Sequence, residues 1–186
     1  MSREHDISAG SARIDRVFRE KARAEIAAAE QVCKGSPVVR AYGDELAEVL
    51  LVKGEPGPGD LAGGRALAGL DGVAAGKALD ALGLPAERFG FCTRVLGVGA
   101  DEGALRIRML VEAVDPAVVI ALDPCAAHDL AEALGIDPLV AGVVRAWRGR
   151  RLLAVDDLEE SLADEGLKRQ VWRQLKALAT ADPSQT

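Results

Sequence analysis

Residues 49–84 read VLLVKGEPGPGDLAGGRALAGLDGVAAGKALDALGL. The stretch opens on an apolar run that suits a buried strand. It passes into a glycine-rich loop with few large side chains and closes on a helical pattern. Such a loop lets a ligand approach the backbone at the carboxyl end of a strand, where open α/β sheets bind their ligands. Working outward, strand-like and helix-like segments alternate along the chain. The periodicity predicts an amphipathic helix over 12–33, carrying Ile14, Phe18, Ala22, Ile26 and Ala29 and ended by Gly35, Ser36 and Pro37. Strands are expected at 48–53, 89–95, 117–122 and 152–155, and helices at 73–82 and 102–114. Asp123, Pro124 and Gly135 read as the N-cap, first turn and terminator of a further helix. Leu167, Val171, Leu175 and Leu178 stripe a last helix that Asp164 can cap.

This alternation predicts an α/β fold, with helices on both faces of a parallel sheet. The chain of 186 residues suits one domain over 1–186. It divides into a helical segment at 1–45, an α/β core at 46–180 and a tail at 181–186. Its 49% hydrophobic and 28% charged residues point to a globular core, not disorder. Aromatics at 3% leave few platforms for stacking bases, and a net charge of −6 disfavours non-specific phosphate binding. MSREHDIS is too polar for a signal peptide, and no apolar run is long enough to span a bilayer. Cys33, Cys92 and Cys125 are an odd count with wide spacing, which argues against a disulfide framework and fits a reducing cytoplasm.

The glycine-rich segment resembles the first signature of the uracil-DNA glycosylase superfamily, nearest the iron–sulfur type (family 4). The match runs without a gap through about 36 residues. It implies a three-layer α/β/α domain around a four-stranded, mostly parallel sheet. Glycosylases of this kind extrude a base and cleave its glycosidic bond. They use an acid or amide in the first loop, an aromatic ring on the base, an Asn on the uracil edge and a late His for the departing anion.

The chain departs from that set at each place. Where the family reads G-E-A-P-G, this sequence has Lys53, Gly54, Glu55, Pro56 and Gly57. The family's acid falls on Gly54, while Glu55 takes the place before the proline that the acid holds in the G-Q-D-P-Y branch. The stacking Phe of G-R-P-F-V-G is Leu67. The strand Y-I-T-N-V becomes Phe91-Cys92-Thr93-Arg94-Val95, with Arg94 for the Asn. Arginine has donors only and cannot copy an amide's donor–acceptor pattern. Family spacing puts Asp157 at the late His, where a carboxylate would repel a uracil anion. The four cluster cysteines reduce to Cys33, since the C-x-x-C reads Cys33-Lys34-Gly35-Ser36 and the other positions fall near Val98 and Gly103. One thiolate cannot hold a cluster, so no cofactor and no metal site is expected.

Lost acid–base help costs roughly 10²–10⁴ in rate. Two function classes follow. One is a glycosylase-like module without efficient uracil excision that binds DNA, a nucleobase or a protein partner through the old cleft, away from any membrane. The other is a glycosylase or base/nucleoside hydrolase of altered specificity that uses Glu55. Gly54, Pro56, Gly57, Leu67, Thr93 and Arg94 would line the site. Glu55 also reads as a loop carboxylate that receives backbone N–H groups, and Lys53 as a strand-end lysine reaching for the rim. Arg145, Arg148, Arg150 and Arg151 surround Trp147 and form the best candidate for phosphate contact, Arg148, Arg150 and Arg151 above all, or else a solvated basic surface. A weak G-x-G-x-x-A match at Gly57, Gly59 and Ala62 lacks the acid a dinucleotide site needs, because Asp80 falls inside a helix.

Overall fold

A computed structural model describes residues 2–33 and 39–180. The expected helix terminator at 35–37 and the tail at 181–186 lie outside them. The first helix, α1, runs Ser2–Val32, and a two-residue strand β1, Tyr42–Gly43, follows. The decisive stretch supplies β2 (Val49–Lys53), a short α2 (Pro58–Gly63) and α3 (Leu70–Ala81). Next come β3 (Arg88–Cys92), α4 (Ala100–Val114), β4 (Val118–Ala121) and α5 (Pro124–Leu134). A hairpin of β5 (Arg145–Trp147) and β6 (Arg150–Ala154) leads through a 3-10 turn at Glu160–Leu162 to α6 (Glu165–Leu175) and α7 (Ala177–Thr180).

The fold is α/β with a mixed six-stranded sheet in the order β1-β3-β2-β4-β6-β5. Strands β3, β2, β4 and β6 are parallel, and β1 and β5 add antiparallel edges. The expectation of four strands missed both edges. Tyr42–Gly43 is exposed and only two residues long, and Arg145–Trp147 is three residues with an arginine at its start. Neither offers an apolar run to read. The strand expected at 89–95 stops at Cys92, yet Thr93 N–H and Arg94 N–H still donate to the carbonyls of Lys53 (2.7 Å) and Gly54 (3.0 Å). The β2–β3 ladder therefore continues past the formal strand ends, into the candidate site.

Side chains alternate across the sheet as strand geometry requires. Leu50, Val52, Phe91, Val119 and Leu152 face α1, α4 and α5. Val49, Leu51, Ile120 and Leu153 face α3, α6 and α7. Every residue of β2 and β4 is buried, which is why both read as continuous apolar runs. Each fully buried Leu or Val contributes about 1.5–3 kcal/mol.

From β2 the chain crosses to β3 on one side, then returns past β2 to β4 on the other. The direction of winding reverses between β2 and β4, and their carboxyl ends form the crevice where such sheets bind ligands. No helix among the described residues is long and apolar enough to cross a membrane.

Candidate functional site at the carboxyl ends of the strands

Lys53 ends β2 with its side chain buried, and its ammonium is held by three carboxylates. Nζ lies 2.9 Å from Asp60 Oδ2, 2.7 Å from Asp71 Oδ2 and 2.7 Å from Glu159 Oε2. Asp60 is fully buried on α2 and also accepts the N–H groups of Gly57 and Ala68, each at 2.9 Å. Burial pulls the Lys53 pKa down, but Asp71, Glu159 and Asp60 outweigh it and hold the ammonium protonated above the ordinary lysine range. A lysine so held is no nucleophile at neutral pH. It clasps the glycine-rich segment to β2. The rim-lysine reading of Lys53 is thereby corrected: the strand's last side chain turns inward because Asp60 and Asp71 lie buried beneath it. Gly57 makes room for the clasp, since a Cβ there would lie 2.6 Å from Glu159 Oε1 and 2.9 Å from Lys53 Nζ.

Sequence reasoning missed Asp60 and Asp71. The available signal was a lysine closing an apolar strand, followed by two acids inside an otherwise apolar, glycine-rich stretch. Buried charges need partners.

Gly54 lies at the crevice itself. Its N–H donates to Asp123 Oδ2 at 2.7 Å, while Asp123 Oδ1 caps α5 through Ala126 N–H at 2.7 Å. An added Cβ would lie 2.6 Å from Cys125 Cβ and 2.7 Å from Asp123 Oδ1. The position where the resemblance puts an acid thus has no space for a side chain.

Glu55 and Arg94 face each other across the mouth of a cavity of about 700 Å³. Arg94 Nη1 donates to Glu55 Oε1 at 3.1 Å, and Arg94 Nε donates to Asp129 Oδ2 at 3.2 Å. Thr93 Oγ1 donates to the same Asp129 oxygen at 2.6 Å. Asp129 first, then Glu55, raise the Arg94 pKa further. Pro56, Thr93, Arg94 and Glu55 therefore share one cavity. A second cavity of about 240 Å³ is lined by Lys53, Glu55, Asp71, Asp123, Asp157 and Glu159 among others.

The remaining candidates lie elsewhere or do other work. Leu67 lines neither cavity; its backbone is left-handed (φ 57°) and its side chain covers Gly90 of β3. Asp157 borders the smaller cavity and accepts Glu160 N–H, at the start of the 3-10 turn, at 2.9 Å. Arg150 and Arg151 start β6, at the opposite end of the sheet from the cavities, and Arg148 forms the turn before them. Arg150 is buried against Glu112 (3.1 Å) and Asp115 (2.6 Å), and Arg151 donates to the Leu178 carbonyl at 3.0 Å. Arg148 is the exposed member, 5.0 Å over the Trp147 ring.

The residues do not fit an iron–sulfur cluster. Val98 and Gly103 border the larger cavity without a sulfur, and Cys33 is buried against α4. Burial pushes the Cys92 thiol up to about 12, so it is not an activated thiolate. Among the described residues, no group of three or more His, Cys, Asp or Glu is arranged to hold a metal ion. No protein-family model matches the chain, and a search of curated proteins finds no match.

Proposed function

We propose that the chain is a divergent uracil-DNA glycosylase-like module that binds a small ligand in its cleft and lacks efficient uracil excision. On this reading the four parallel strands are the core of a glycosylase-type three-layer domain. The observation that carries it is the Glu55–Arg94 pair. The carboxylate next in sequence to the family's catalytic acid is bound to the side chain that replaces the base-reading Asn, and the two charges face each other at 3.1 Å. Gly54 has no room for an acid, and Leu67 is spent covering Gly90.

A DNA strand is a poor fit to this face. Seven carboxylates line the two cavities against Arg94 and the fully engaged Lys53, which repels phosphates. The link to nucleic acid and repair rests on the resemblance, and a free base or nucleoside suits the cleft better than a polymer. A reducing, cytoplasmic setting suits its three free cysteines.

The test is single-turnover excision from uracil-containing single- and double-stranded DNA, with protein in excess and Glu55→Gln beside it. The expected result is no excision by either protein. A second reading, hydrolysis by Glu55, is favoured by the open cavity beside Glu55 and Arg94. Excision that vanishes in Glu55→Gln would establish that reading and overturn the first.

A further inference from the structure

We infer that the larger cavity selects a small organic cation: an amine, amidine or guanidine carried on an apolar body. The inference rests on the cleft being a binding site, and it names the ligand's chemistry. The cavity's volume, about 700 Å³, lies within the range of small-molecule sites. One wall is apolar. It comes from Ala104 and Ile107 of α4, Val95 and Val98 of the β3–α4 loop, and Leu61 of α2. Leu61 is half exposed and Leu96 is almost wholly exposed at the rim, so the mouth is apolar as well. An apolar body is thereby accommodated.

The other wall is acidic. Glu55, Asp129 and Glu132 line it with Arg94 as the one Lys or Arg among the lining residues, an excess of two negative charges, and Glu132 Oε2 also lies 3.8 Å from the exposed His128 Nε2. Arg94 and Thr93 already spend donors on Glu55 and Asp129. The acceptors left over are on Glu55, which is mostly exposed, and on Glu132. A ligand that brings donors and positive charge completes this wall, and one that brings acceptors or negative charge meets repulsion. The N-terminus of α4 opens on the same cavity, but Asp101 and Glu102 in its first turn already answer its dipole. It therefore adds no call for an anion.

The experiment compares three probes of one shape, benzamidine (cation), benzamide (neutral) and benzoate (anion), titrated into the protein and followed by amide chemical shifts and calorimetry. Benzamidine is expected to bind and to shift residues 93–107, and benzoate to leave them unmoved. Glu132→Gln, on an exposed helix surface, should weaken benzamidine about two- to fivefold. Arg94→Gln should act in the opposite direction and tighten it several-fold, because it deepens the negative field. A purely apolar pocket would respond to neither change. Equal binding of benzoate, weaker benzamidine binding in Arg94→Gln, or no benzamidine binding up to about 10 mM would each overturn the inference. These outcomes are separate from the excision assay. Excised uracil would overturn the binding-module reading and leave the cation preference standing. An absent preference in a protein that excises nothing would remove this inference alone.

Discussion

At the scale of single residues, burial decides which carboxylates matter around Lys53. Asp60 is fully buried and accepts three hydrogen bonds, whereas the Glu159 side chain is 46% exposed and makes one ion pair to Lys53. Breaking a buried ionic network by removing one partner costs about 3–5 kcal/mol. An exposed pair is worth about 0–1 kcal/mol. Asp60→Asn keeps the shape but loses the charge that Lys53 requires, and it should lower the urea unfolding free energy by about 3 kcal/mol. Glu159→Gln should lower it by less than about 1 kcal/mol. Equal losses in the two variants would show that the clasp is not organised by burial. Legibility in the sequence divides along the same line. Glu55 and Arg94 could be singled out because the resemblance points to their positions. Asp60 and Asp71 leave a weaker signal, two acids in an apolar stretch after a strand-closing lysine, and nothing local to either one distinguishes a buried acid from a solvated one. Their partner is set by the packing of α2 and α3 against β2.

At the scale of elements, the turn from β4 into α5 is the joint on which the crevice depends. One carboxylate, Asp123, caps α5 and receives the Gly54 N–H from the end of β2. Asp123→Ala should cost about 1–2 kcal/mol for the lost cap. The orphaned Gly54 N–H adds a further penalty of about 1–3 kcal/mol, since an unmet buried donor retains its desolvation cost. Asp123→Ser can keep the cap but not both bonds, so its loss should fall between wild type and Asp123→Ala. Urea unfolding with an unchanged m-value is the check. If Ser matched wild type, the bond to Gly54 would carry no weight. This helix was legible in full, because Asp123, Pro124 and Gly135 are local signals and each holds its expected place. The same holds for Asp164, which receives the N–H groups of Gly166 and Leu167. By contrast, α2 hides inside what reads as a loop. Its six residues begin at a proline and include two glycines, and Asp60 braces it through the N–H groups of Gly57 just before it and Ala68 in the segment after it. The two edge strands were illegible for the opposite reason. They bury too little to leave an apolar pattern, and pairing with β3 and β6 defines them.

At the scale of the whole molecule, α1 docks through a few apolar side chains flanked by ion pairs. Among its described side chains Ala22 and Ala29 are buried and Ile26 packs on the core, while Ile14, Val17 and Phe18 are exposed. Arg19 binds Asp44 (2.6 Å) and Glu45 (2.8 Å), Arg23 binds Glu45 (2.6 Å), and Glu30 binds the buried Arg106 (2.7 Å). The Arg19 hydrogen bond holds Asp44 below its ordinary value of 3.8, against burial. Burial pushes Glu45 up from 4.5, but Arg23 and Arg19 outweigh it and its net shift is also down. A carboxylate with a depressed folded pKa contributes stability above its unfolded pKa and loses it as pH falls through the folded one. The docking of α1 should therefore hold at neutral pH and weaken below about pH 4. Raised salt at neutral pH should weaken it in the same direction, because these pairs are partly exposed. The sheet depends on apolar burial, so β2 and β4 should keep their protection after α1 has lost its own. Amide hydrogen exchange, measured from about pH 6 down to about pH 3, resolves the two. Loss of α1 protection ahead of β2 and β4 is the expected order. Simultaneous loss at one pH would mean that α1 and the sheet unfold as a single cooperative unit, with its ion pairs no more than surface ornaments of a helix held by packing.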